Sequence, residues 1–405
     1  MRAHVVIYSI LFTLIPATGM SMALAQDNAP GLRQAFESAW LRSPVQHVLD
    51  ARRDEVVAGQ EAARSWTAGS PVVGLAQRSD RLTDDRGARE TELSLSAPLW
   101  LPGQKAARQQ AARIGAGYLD AEIAQARLAI AGDVRERLWA VAAAREMAAE
   151  AEQHHHHLAA LAQDVTRRVG AGELARTDGL LATQEVLKAQ AGIHAAHARL
   201  QEARTRYTAL TGLPDIPVPE PEAAANLSIE QHPKLHAARR VLERAQATGR
   251  VVASNRSDPP TIGLSMRREQ EAVSGGLSRS LGIALQIPIG TAARNRPLDT
   301  AAFTQVQTAS AELMQIGVAL QAEIDIAGQQ LRTAQQTSET ASAQAALLGE
   351  HTALLEKAFR LGEGSLPELL RAQASLHEIR VAVRQQDIVV GLSRARLNQA
   401  IGVFP

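Results

Sequence analysis

Arg168-Val-Gly-Ala-Gly172, with Asp178 and Leu180-Leu-Ala182 behind it, returns about 190 residues later as Arg360-Leu-Gly-Glu-Gly-Ser365, with Glu368-Leu-Leu-Arg-Ala-Gln373 behind it. Working outward, the same offset brings Pro44 onto Pro233, Gly74-Leu75 onto Gly263-Leu264, Leu95 and Pro98 onto Leu285 and Pro288, and Gly212 onto Gly402. One register held over that distance marks an internal repeat. The chain reads as one unit written twice, residues 26–212 and 226–405. A Pro-rich linker over 213–225 joins them and cannot continue a helix.

Each unit reads as helix, hairpin, very long helix, turn, helix. Residues 103–213 contain no proline, and apolar side chains recur at three- and four-residue steps, as in Ile130, Val134, Leu138 and Val141, then Leu158, Leu161 and Val165. The spacing predicts long helices over about 103–168 and 174–212, and over about 298–360 and 366–402 in the second unit, with a shorter helix over about 45–68 in front. In the second unit Ser365, with Glu368 three residues on, predicts a capping box; Ala175 stands there in the first, so its cap is weaker or different. Ahead of each long helix, strict alternation in Thr91-Glu-Leu-Ser-Leu-Ser96 and Leu281-Gly-Ile-Ala-Leu-Gln-Ile287 predicts hairpins over about 71–98 and 261–288. Their strands suit the roughly 9–11 residues that cross a bilayer in a β-barrel, although a soluble hairpin covering a core would alternate in the same way.

Composition removes several function classes. The 405 residues include no cysteine, which excludes disulfide scaffolds and thiol chemistry. With 43 Lys+Arg against 42 Asp+Glu the chain lacks the basic excess of a nucleic-acid binder. Aromatics at 3% suit long helices packed through small residues. Met1, Arg2 and His4, the apolar run to Pro16, and Ala23-Leu-Ala25 have the order of a secretory signal peptide over residues 1–25, so the mature chain is expected to be exported. No later segment reads as a membrane-spanning helix, which leaves strands as the route into a membrane.

Length ties the pieces together. A helix over 103–168 would extend roughly 100 Å, and the helices over 45–68 and 174–212 together roughly 95 Å, so two short helices stacked end to end match one long one. That is the geometry of a hollow helical cylinder. Four strands cannot close a barrel, whose smallest members have about eight; three chains would supply twelve.

This arrangement resembles the TolC-like outer-membrane efflux channel family across essentially the whole mature chain. The residues that carry it are Glu90 to Leu99, Gly103-Gln-Lys-Ala-Ala-Arg108, Ile283-Ala-Leu-Gln-Ile-Pro288 and the two glycine turns with the residues that follow them. The hairpin and basic segment of the first unit look most like the heavy-metal efflux (CzcC-like) subgroup. The resemblance implies a mainly α fold with a small β part: long antiparallel coiled-coil helices in two tandem repeats, each adding a hairpin to the barrel of a homotrimer. It implies an outer-membrane location in a Gram-negative bacterium, with most of the chain in the periplasm. Expected partners are outer-membrane lipid, a periplasmic adaptor (membrane fusion) protein and an inner-membrane transporter of the RND type. The function expected is the conduit of a tripartite efflux system for small molecules or metal ions. The same architecture would serve as the outer-membrane duct of a type I protein secretion system, and a periplasmic coiled-coil tether without a pore is the other reading.

By match to the family, Ala171-Gly172-Glu173 and Leu361-Gly362-Glu363 are expected to form the adaptor-docking tip. Glu368 and Arg371 fall where the best-known family channel carries an acidic pair that narrows the periplasmic entrance. Trp66 and Trp100 flank the first hairpin, where interfacial aromatics are expected. No nucleophile elbow, phosphate loop or zinc-protease signature occurs, so no enzyme activity, catalytic residue or cofactor is expected. The run His154-His-His-His157 is the strongest metal-like motif. Helical residues turn by about 100° each, so only His154 and His157 share a face. His194 and His197 would stand roughly 15 Å away along the axis. No metal site is expected from either group.

Overall fold

A computed structural model describes residues 31–82, 86–223, 225, 227–271 and 276–405. The expected export segment, residues 1–25, lies outside them. In chain order the elements are α1 (Leu32–Arg42), α2 (Pro44–Arg64), β1 (Val72–Ser79), β2 (Arg89–Pro98), α3 (Gln104–Gly170) and α4 (Arg176–Thr211). The second repeat follows with a 3-10 turn (Ile229–Gln231), α5 (Pro233–Ser254), β3 (Thr261–Gln270), β4 (Leu277–Gln286), α6 (Ala292–Arg360) and α7 (Leu366–Ile401).

The two repeats start their helices with the same chemistry. Ser43 Oγ accepts from the Val45 amide and Pro44 takes the first helical position; His232 Nδ1 accepts from the Lys234 amide and Pro233 takes the matching place. α3, of 67 residues, and α6, of 69, are roughly 100 Å long. Their buried seams are rich in alanine. In α6 the seam runs Ala302, Ala309, then Leu320, Ala327, Ala334 and Ala341. Steps of seven keep one face against a neighbour, and the steps of eleven, from Ala309 to Leu320 and from Ala341 on to Thr352, reset the supercoil locally.

Short helices complete two further columns. α2 and α4 both pack on α3; α5 and α7 both pack on α3 and on α6. The joints between stacked helices are tight. Ser38 Oγ donates to Thr211 O at 2.6 Å where α1 meets the end of α4, and Gly402, at φ +93°, turns α7 off against His232 and Pro233. The wall is thus four columns wide, α4–α3–α7–α6 at one end and α2–α3–α5–α6 at the other. The linker is strapped across it: buried Arg135 of α3 makes a bidentate pair with Glu222 at 2.7 and 2.8 Å and donates to Gln399 of α7 at 2.7 Å, while Asn398 donates to Glu222 and to Ala223 O.

Four points differ from the sequence reading. α1 stands ahead of the expected first helix, which ends at Arg64 because Ser65 turns out to extended backbone. α6 begins at Ala292 and carries Pro297 inside, since Thr291 supplies a cap that the proline alone would not suggest. Ser365 makes no side-chain cap bond, so the expected box at α7 is absent. At α4 the Asp178 carboxylate accepts from the Ala175 amide at 3.3 Å, half of a box from the repeat expected to lack one.

The strands form one antiparallel sheet in the order β1-β2-β3-β4. The central pairing puts Leu95 opposite Leu264 and Leu93 opposite Met266, joining the two repeats through β2 and β3. β1 and β4 are left with free edges.

Candidate functional site

Register assigns every strand residue to a face. Val73, Leu75, Leu93, Leu95, Ile262, Leu264, Met266, Leu281, Ile283 and Leu285 share one face across all four strands. The other face carries Gly74, Ser94, Ser96, Gly263, Ser265, Gly282 and Ala284, and toward the loops Glu90, Glu92 and Arg267. The apolar face is the bare one: Leu281 is 87% exposed and Ile283 77%. The small and polar residues of β2 and β3 are the half-buried ones. A water-soluble sheet has the reverse arrangement, so the soluble-hairpin alternative fails here. Apolar-out, polar-in alternation is what lipid outside and a wet lumen inside require. Among the described residues no helix is long and apolar enough to cross a membrane.

The polar face has its own electrostatics. Arg267 bridges Glu90 at 3.0 Å and Glu92 at 3.3 Å, and Arg78 stands 3.7 Å from Glu90. The two expected interfacial tryptophans lie at the opposite end of the hairpin. Trp66 is 95% exposed, while Trp100 donates its indole N–H to Ser65 O at 3.0 Å under the Arg108 guanidinium.

At the far end of the wall the two turns have one backbone design. Glu173 N donates to Arg168 O and Glu363 N to Ala358 O, with Gly172 and Gly362 both at φ +80°. This is a Schellman closure, and only glycine takes its left-handed position without strain. A Cβ at either glycine would meet nothing within 4 Å, so the requirement is conformational and the turns lie open. Ala171, Gly172, Glu173, Leu361, Gly362 and Glu363 are all exposed.

The turns also fix which arginine does what. Alignment by backbone pairs Arg168 with Ala358, not with the look-alike Arg360, which is exposed. Arg168 Nη1 donates to Phe359 O at 3.2 Å, its guanidinium lies 4.9 Å from the centre of the buried Phe359 ring, and Nε reaches Glu173 at 3.2 Å. It locks the first helical hairpin to the second just above the tip. Beneath it Leu158, Val165, Ala182, Leu366, Leu369 and Leu370 form a shared core. Glu368 and Arg371 are exposed on the same turn of α7 and no ion pair joins them; Arg371 Nε donates to Pro367 O at 3.2 Å. Both charges are free to meet a neighbouring chain.

The histidines are closer together than counting predicted. His197 Nε2 meets Glu152 Oε1 at 2.8 Å, because the turn residues 171–175 add no height to either helix. His154 finds a partner that the sequence did not announce, the ring of His377 on α7, stacked 3.8 Å away and tilted by 8°. Burial, then the neighbouring His377 and His157, push the His154 imidazole down to about 4. Among the described residues no three acidic or histidine side chains already converge on one point.

Residues 47–213 match the family described as outer membrane efflux protein. The cobalt-zinc-cadmium resistance protein CzcC of Cupriavidus metallidurans is 28% identical over 318 residues, 73% of each chain. The solved outer membrane protein VceC of Vibrio cholerae superposes with a TM-score of 0.73 at 18% identity, over 92% of this chain and 96% of that one. The channel CusC superposes with a TM-score of 0.73 at 14% identity, over 96% and 99%.

Proposed function

We propose that the chain, which matches the outer membrane efflux protein family over residues 47–213, is the outer-membrane channel of a tripartite efflux system, and that three copies close the four-stranded sheet into a twelve-stranded barrel. The observation that carries this is the inverted sheet with two free edges. Each unpaired backbone group in hydrocarbon costs several kcal/mol, so β1 of one copy must pair with β4 of the next. The small and polar face then lines the lumen, with Arg267, Glu90 and Glu92 near the outer mouth, and Trp66 and Trp100 sit at the periplasmic rim of the bilayer. The helical wall continues the lumen into the periplasm.

The exposed glycine turns form the surface on which a periplasmic adaptor docks, beneath which an inner-membrane pump of the RND type loads the conduit. Glu368 and Arg371, unpaired within the chain, form alternating rings that narrow the entrance. CzcC carries cobalt, zinc and cadmium in its name; the same class of divalent cations is the cargo we propose here. The chain acts as a conduit, not as an enzyme, and reaches the outer membrane through a cleavable leader at residues 1–25. Crosslinking of the detergent-purified protein, followed by bilayer recording, tests the reading. A trimer with discrete conductance steps is expected, and a monomer without conductance would overturn it.

A further inference from the structure

α3 and α7 face one another with matching stripes at i, i+4 and i+7: Glu150, His154 and His157 on one, Gln373, His377 and Arg380 on the other. All six line one cavity of about 380 Å³, roughly 25 Å above the glycine turns at 1.5 Å per residue. Glu150 is 7% exposed, and its Oε1 lies 3.6 Å from His377 Nδ1. That nitrogen and Gln373 Oε1 are buried without a hydrogen-bond partner. Buried polar atoms are almost always satisfied, so two orphans beside a buried carboxylate and a stacked imidazole pair mark a place built for something else.

We infer that this cavity binds one divalent transition-metal cation of the zinc class, held by His377 and Glu150 with His154 as third ligand. Two ligands about 2.1 Å from a tetrahedral ion stand about 3.4 Å apart, close to the His377–Glu150 separation. His154, stacked parallel to His377, must turn out of the stack to complete the set, and the cavity leaves room for that rotation. Two imidazoles and one carboxylate select zinc, cobalt or cadmium over calcium or magnesium, which prefer all-oxygen sites. Arg380 and Glu356 also line the cavity. The bound ion joins α3 of the first repeat to α7 of the second, and the inference stands whatever the conduit carries.

The test is a Co²⁺ titration of the detergent-purified trimer bearing a purification tag without histidine, read by the absorption of tetrahedral cobalt and by displacement with Zn²⁺. Saturation at one ion per protomer is expected, weakened about tenfold or more by His377→Ala and by Glu150→Gln, a loss of at least one decade in Kd. His197→Ala and the pair His155→Ala, His156→Ala should leave it unchanged. Trimer elution and bilayer conductance, to which the site does not contribute, show that the variants are folded. Loss of conductance in the wild type with cobalt binding intact would sink the conduit and spare the metal site. Two results overturn the inference. One is no saturable binding. The other is binding that survives His377→Ala and vanishes with the His155, His156 pair, which would be chelation by the histidine run alone.

Discussion

Two adjacent residues of β4 separate the apolar face of the sheet from the small-residue face. Ile283 and Ala284 are neighbours in sequence, so their side chains point to opposite faces; Ile283 stands beside Leu264, and Ala284 beside Gly263. On the apolar face of β4, Ile283 sits between Leu281 and Leu285, the middle of the band. At 77% exposure it packs on little within its own chain, so replacing it removes almost no internal contact. Arginine at the midplane of a barrel's lipid face costs about 2–4 kcal/mol, and three copies bring that to about 6–12 kcal/mol per trimer. Ala284→Arg places the same charge in a wet lumen beside glycine, where no such penalty applies. Ile283→Arg is expected to accumulate in the periplasm or be degraded, and Ala284→Arg to reach the outer membrane as a trimer with altered ion selectivity. Membrane fractionation, gel mobility of unheated trimer and bilayer recording read the two outcomes. Normal assembly of Ile283→Arg alongside failure of Ala284→Arg would reverse the assigned faces and refute the reasoning.

Other expectations follow from single contacts. Gly172→Val and Gly362→Val together should leave the trimer intact, since no atom lies within 4 Å, but force left-handed backbone on a β-branched residue at roughly 1–2 kcal/mol each; lost export in a resistance assay is expected, and unchanged resistance would remove the docking role. Arg371→Glu turns a mixed-charge entrance into an acidic one, so bilayer recordings should show higher resting conductance or cation selectivity; identical traces would leave the pair as surface decoration. Arg135→Met leaves Glu222 without its bidentate partner; by hydrogen exchange the linker should open at least tenfold faster, about 1.4 kcal/mol or more, and unaltered protection would mean the strap is idle. His154 has its imidazole depressed from 6.5 to about 4, so the stability it contributes is whole above about pH 6.5 and lost as pH falls through about 4. The melting temperature of the trimer should drop over that window, and His154→Gln should flatten the drop.

What the sequence announces and what it hides divide along physical lines. Periodicity is a property of the backbone, and it sufficed for the hairpins and the long helices: Leu93 and Leu95 alternate because strands do, and Val134, Leu138 and Val141 step by three and four because helices do. Helix ends were less legible. The helix expected from about residue 298 starts at Ala292 with Pro297 inside its first turns, because a cap at Thr291 outweighs a proline so close to the start. Ser365 stands at the N-cap of α7 as expected but makes no side-chain cap bond. Contacts between elements were hidden altogether. The string Arg-x-Gly-x-Gly invites pairing of Arg168 with Arg360, yet the positive φ angles set the register two residues away, on Gly172 and Gly362. His377 stands alone in sequence, with nothing to tie it to a histidine more than two hundred residues earlier.

The contacts that join the repeats fall where the two copies differ. Arg168, Arg135, Glu150 and His154 of α3 correspond to Ala358, Asp325, Thr340 and Gln344 of α6, none of which could take their roles. Each of the four reaches into the second repeat: Arg168 to Phe359, Arg135 to Gln399, Glu150 and His154 to His377. A faithful duplicate would present the same stripe on α3 and α6 to α7, which packs between them. Divergence at these few positions gives α3 and α6 different faces toward α7. Where the backbone must stay equivalent, at the two glycine turns, the copies keep the same residue at the same φ. The conduit therefore needs both kinds of position: shared ones that repeat the fold, and divergent ones that let two copies close into one wall.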